Sequence, residues 1–178
     1  MEIDFNGVPK IAFEWLSDSK RLRLNGPTCK CLHSNGPFKS AYGQFDLLPG
    51  GIYCWEVEAI KGTNFKIGVM KKKDDMPFDK AFSDDKDGFA FYSMGQLRNG
   101  TNTSTATVNK DYGKCFGNKD VVGVYLDMTK GYLAYFLNGE FQGPAYMTAE
   151  FKEAIYVPAV AVLIEDEEFC VVEVCPED

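Results

Sequence analysis

The sequence predicts an all-β protein, an antiparallel sandwich, and three observations carry that expectation. Apolar residues alternate with polar ones over short runs that Gly, Pro, Asn and Asp interrupt. Asn138-Gly139 supplies the positive φ angles of a tight hairpin turn between two such runs. No stretch sustains the apolar period of a long amphipathic helix; Ala149–Ala154 has signals for a turn or two only.

In chain order, Ile11–Leu16 and Arg21–Leu24 read as opening strands. Ile52–Ala59 places Tyr53, Trp55, Val57 and Ala59 on one face and Glu56 and Glu58 on the other, as a half-buried strand requires. Asn64–Val69 repeats the alternation with Phe65, Ile67 and Val69 inward, and Phe89–Ser93 follows. From Val121 to Gly139 the pattern is clearest. Val122, Val124 and Leu126 face inward, Asp127–Gly131 forms a polar turn, and Leu133, Tyr135 and Leu137 return on the same face. A second hairpin leads into Glu140–Gly143, and Tyr156–Leu163 and Phe169–Val174 close the chain. Asn25–Leu48, Lys71–Gly88 and Met94–Asp120 read as long irregular loops, which in a compact domain are often functional.

The 178 residues form one domain spanning 1–178, with opening strands at about 10–25 and the best-defined core at about 50–175. The chain is 45% hydrophobic, 25% charged and 14% aromatic, the composition of a folded protein. No apolar run is long enough to span a bilayer, and residues 1–5 lack the features of a secretory signal, which points to a cytoplasmic protein without a membrane partner. A net charge of −7 argues against nucleic acid, since phosphate recognition draws on a basic face. The one cluster, Lys71-Lys72-Lys73, is followed by Asp74-Asp75. The six cysteines have no Cys-x-x-Cys spacing and read as reduced, several of them buried.

Catalysis finds no foothold. His33 is the sole histidine and lies in a loop, so no nucleophile has an evident base, and phosphate-cradling glycine motifs are absent. Asp84–Gly88 fails as a calcium loop: in EF-hand register its first and twelfth positions are Ser83 and Met94. Neither a metal nor a cofactor is expected. Glu56 and Glu58 read as the solvated side of a strand rather than as a glycosidase pair. Asn99-Gly100-Thr101 and Asn102-Thr103-Ser104 are formal glycosylation acceptors that matter only in a secreted protein.

From Gly51-Ile52-Tyr53-Cys54-Trp55-Glu56-Val57-Glu58 onward, the chain resembles the SPRY domain family. The resemblance continues through Lys66-Ile67-Gly68-Val69 and is greatest at Val122–Asp127 and Gly131–Gly139, a Gly-x-x-x-Asp strand, a short turn and an aromatic strand ending in Asn-Gly. Tyr156-Val157-Pro158-Ala159-Val160 resembles the family's late Tyr-Pro-x-Val strand. The segment Ile11–Leu24 departs from the extended N-terminal signature of the tripartite-motif ubiquitin ligases. The resemblance implies a bent antiparallel sandwich, a concanavalin-like jelly roll with long loops at one end. It also implies a noncatalytic module, monomeric in isolation, that recognises a peptide or protein as an adaptor, a ubiquitin-ligase substrate receptor or part of a larger signalling protein.

Carried over by position, the binding face draws on Thr28, then Lys72 and Asp74, then Tyr92, Met94, Leu97 and Arg98, and finally Leu163 and Ile164. Aromatic, flexible apolar and guanidinium groups together suit a hot spot. A carbohydrate-binding, lectin-like sandwich is the alternative, and it predicts aromatic side chains that stack on sugar rings.

Overall fold

A computed structural model describes residues 3–100 and 109–173. Its described strands are β1 (Trp15–Leu16), β2 (Leu22–Asn25), β3 (Thr28–Cys31), β4 (Lys39–Gly43), β5 (Ile52–Lys61) and β6 (Phe65–Lys71). There follow β7 (Gly88–Tyr92), β8 (Gln96–Arg98), β9 (Val121–Asp127) and β10 (Tyr132–Leu137). The last three are β11 (Glu140–Met147), β12 (Tyr156–Val162) and β13 (Glu168–Val171).

The strands build two antiparallel sheets, one in the order β1-β4-β12-β6-β7-β8 and the other β11-β10-β9-β5-β13-β3-β2. The alternation expected from sequence sets the inner faces. Trp55, Val57 and Ala59 of β5 and Val122, Val124 and Leu126 of β9 pack against Phe65, Ile67 and Val69 of β6, all in the central core. At the β10–β11 hairpin Asn138 has φ 50° and Gly139 φ 82°, the positive pair that a two-residue turn needs. Asp127 Oδ1 accepts from the Thr129 and Lys130 backbone N–H groups at 2.9 and 3.0 Å, closing the β9–β10 turn.

Two of the three stretches expected to be irregular carry strands. β3 and β4 lie within 25–48, and β8 lies within 94–120. β3 pairs with both β2 and β13, and β4 with β1 and β12, so the missing sheet partners recruited them. Conversely, only Trp15–Leu16 of the expected strand 11–16 joins a ladder. β13 is observed over Glu168–Val171, and the expected end of that strand at Val174 lies outside the described residues, as do Thr101–Ser104 of the glycosylation motifs.

Both outer faces are partly covered. Residues 3–8, to which sequence assigned no role, cross the seven-stranded sheet: Phe5 stacks on Phe136 at 4.2 Å and, with Ile3 and Val8, buries Cys54 and Tyr132. On the six-stranded sheet, residues 72–87 lie over Tyr42, Met70, Ala90, Val157, Ala159 and Ala161. The registers gather loops 32–38, 62–64, 93–95 and 163–167 at one end of the sandwich, while 44–51 and 72–87 leave from the other.

Candidate partner-binding site

The covering loop 72–87 is fastened to the six-stranded sheet. Ser40 binds it three times: its N–H donates to Phe78 O at 2.8 Å, its hydroxyl donates to Lys80 O at 2.7 Å, and that hydroxyl accepts from Phe82 N at 2.9 Å. Tyr42 OH donates to Pro77 O, and Lys73 pairs with Asp85 at 2.7 Å and Asp87 at 3.3 Å. Phe82 is thereby sunk fully into the sheet's outer face. Such a loop is rigid enough to serve as a wall.

Between this wall and the loop end of the sandwich lies a concave site of about 330 Å3, lined by Pro37, Phe38, Lys66, Asp84, Tyr92, Arg98 and Leu163. Strand alternation places Lys66 of β6, Tyr92 of β7 and Arg98 of β8 on the outer face, opposite Ile67, Phe91 and Leu97 in the core. Phe38 and Tyr92 meet edge to face at 6.0 Å. Lys66 Nζ lies 4.2 Å from the Phe38 ring centroid and 5.2 Å from that of Tyr92, while Arg98 Cζ lies 5.0 Å from the Tyr92 ring. The two cations thus share an aromatic wall.

Both cations are unusually deep. Lys66 is 3% exposed and Arg98 5%. Lys66 Nζ has no hydrogen bond or ion pair among the described residues, and burial lowers its pKa to about 8, with Asp84 opposing the shift and Arg98 adding to it. Arg98 Nε and Nη2 donate to Gln96 Oε1 at 3.3 and 2.9 Å. Asp84 Oδ1 is buried with no hydrogen-bond partner among the described residues, and burial raises the Asp84 carboxyl above its usual range.

Two further buried charges hold the loops that frame the site. Lys39, 1% exposed, donates to His33 O at 2.8 Å and Leu163 O at 2.7 Å, tying loop 32–38 to the turn after β12. Glu167 Oε1 accepts from the Leu163 and Ile164 N–H groups at 3.1 and 2.7 Å, and its Oε2 from those of Thr63 and Asn64 at 2.9 and 2.8 Å. Glu167, although a carboxylate, is buried where two loops meet.

The expected binding residues divide into several groups. Tyr92, Arg98 and Leu163 come together in the site, with Met94 (57% exposed) and Ile164 (41%) on loops at the same end. Leu97 is in the core, because β8 turns it toward the opposite sheet from Arg98. Lys72 and Asp74 line a separate groove of about 740 Å3 at the other end of the loop, beside Tyr42, Phe45 and Phe78, and Lys72 pairs there with Asp46 at 2.9 Å. Thr28 lies in the seven-stranded sheet, paired with Cys170 and Asn25. The four segments therefore do not converge on one surface. Phe38, Lys66 and Asp84 went unassigned; Lys66 alternates with apolar residues as a solvated side chain would, and only Phe38, an aromatic in a polar stretch, carried a local signal.

His33 is exposed in its loop. Cys29, Cys31 and Cys54 are free and buried, and burial pushes the Cys54 thiol up to about 12 and raises those of Cys29 and Cys31, the reverse of what a nucleophile needs. Among the described residues no group of three His, Cys, Asp or Glu side chains is placed to hold a metal, and no helix is long and apolar enough to cross a membrane.

Known proteins share this architecture. The crystal structure of the SPRY domain of human HERC1 superposes with a TM-score of 0.63 at 16% identity, covering 90% of this chain and 99% of that one. A second human SPRY domain gives 0.64 at 16% identity, covering 87% and 98%. A segment of 59 residues is 37% identical to the "Probable ATP-dependent RNA helicase ddx1" of Dictyostelium discoideum, which is 33% of this chain but 8% of the helicase. The sequence profile of the SPRY domain matches residues 52–174, most of the chain, and with the shared sandwich this establishes that the chain belongs to the SPRY domain family.

Proposed function

We propose that this chain is a single noncatalytic interaction domain that recognises a peptide or protein through the site formed by Phe38, Lys66, Tyr92, Arg98 and Leu163, with Met94 and Ile164 at its margin. SPRY domains are in general modules of protein–protein interaction. The observation that carries the reading is the site's construction: an aromatic and cationic hollow whose framing loops are held by Lys39 and Glu167. Hot spots are enriched in tyrosine and arginine, and loops already ordered lose little entropy when a partner binds. The free, buried thiols fit a reducing compartment, so we place the protein in the cytoplasm, as an adaptor or as a substrate receptor of a ubiquitin ligase.

Selection of a displayed random-peptide library on the immobilised chain tests this. Peptides are expected to bind the native protein and to be lost from a Met94→Asp, Ile164→Asp variant whose circular dichroism is unchanged. Peptides retained equally by that variant would remove the site from this end. Recovery of no peptide, with retention on a glycan array, would overturn the module in favour of a carbohydrate-binding sandwich.

A further inference from the structure

We propose that this site takes one carboxylate, an aspartate or glutamate side chain of the partner, received by Lys66 Nζ and the Arg98 guanidinium against the Phe38 and Tyr92 rings. The inference rests on the reading of this hollow as the partner site and names what enters it. Lys66 carries the argument. An ammonium removed from water needs oxygen acceptors to offset its lost hydration, and ring faces replace only part of them. Lys66 is 97% buried, lines the hollow and has no acceptor among the described residues, although Asp84 lies close enough to affect its titration. The side chain therefore retains a demand for an anionic oxygen that the described residues do not meet.

Charge counting selects the kind of anion. Among the residues that line the hollow, Lys66 and Arg98 carry two positive charges and Asp84 one negative charge, a surplus of one. A monoanionic carboxylate neutralises that surplus, whereas a phosphate near its second ionisation leaves excess negative charge in a poorly hydrated site beside Asp84. The chain's net charge of −7 further disfavours a polyanion and leaves recognition of a single acidic side chain to this local pair. Arg98, whose Nε and Nη2 bind Gln96 Oε1, adds a fixed positive charge 5.0 Å from the Tyr92 ring centroid.

The test uses the full chain and the peptides selected on it. The selected pool is expected to be enriched for Asp or Glu at one aligned position. For the best peptide, changing that residue to Asn or Gln should weaken binding at least about tenfold, the effect of one charge-assisted hydrogen-bonded contact. Phosphoserine at that position should bind more weakly than the acid. On a Lys66→Met variant, which keeps the aliphatic stem, the acidic and amide peptides should bind alike. Selected peptides without an acidic preference, or an acidic preference undiminished in Lys66→Met, would overturn this inference and leave the module reading standing. Stronger binding of the phosphoserine peptide would replace the carboxylate with a phosphate. Recovery of no peptide would overturn both readings.

Discussion

Two lysines of the six-stranded sheet, Lys39 and Lys66, are buried to nearly the same depth and do opposite things. Lys39 Nζ has two backbone carbonyl acceptors, one on each of two loops. Lys66 Nζ has two aromatic rings and no acceptor among the described residues. Burial depth therefore does not separate structure from site; satisfaction does. A buried cation whose hydrogen bonds are made positions the chain around it, whereas one left short of acceptors is an attraction for a ligand.

The largest effect is expected at Lys39. Lys39→Met should destabilise the domain by about 2 kcal/mol, because His33 O and Leu163 O both lose their ammonium donor at a buried junction. Urea unfolding measures this, and an unchanged midpoint would mean the two loops are held by other contacts. The opposite sign is expected at Lys66. Lys66→Met should stabilise by about 1 kcal/mol, since it removes a desolvated charge and loses only cation–π attraction. A loss of stability would show that the lysine is structural after all.

A finer test is pH. Lys66 titrates near 8 in the folded chain and at its ordinary 10.5 when unfolded, so between these values the unfolded state binds the extra proton. Its contribution to stability therefore rises with pH across that window. The buried thiols Cys29 and Cys54 act in the other direction above their ordinary value of 9, because they stay protonated longer when folded. The difference in stability between the native chain and Lys66→Met isolates the lysine. The advantage of Lys66→Met should shrink as pH rises from 8 to 10.5, and a constant difference would contradict the lowered pKa.

Much of the sandwich was legible as alternation. β5, β6, β9 and β10 bury the residues their patterns select, and Asn138-Gly139 turns where expected. β4 was not legible, because Lys39-Ser40-Ala41-Tyr42-Gly43 is polar in sequence and buried along its whole length. Its lysine, serine and tyrosine find acceptors on distant loops, an outcome that no local window records. β8 is too short to show a period.

The site divides along the same line. Tyr92, Arg98 and Leu163 were accessible through the family resemblance, and alternation accounts for Arg98 facing outward while Leu97 faces the core. Lys72 and Asp74 were grouped with them but lie at a different groove, since loop 72–87 folds across the sheet. By itself, the sequence determined the class of fold, the inner faces of its central strands and the absence of a local catalytic motif. Only the tertiary structure decided which outward side chains stay in water. A two-residue period sets the side of a sheet on which a residue stands, but what covers that side is a contact between segments far apart in the chain. At Lys66 that cover buries the side chain without supplying an acceptor from the described residues, and the proposed site rests on that shortfall.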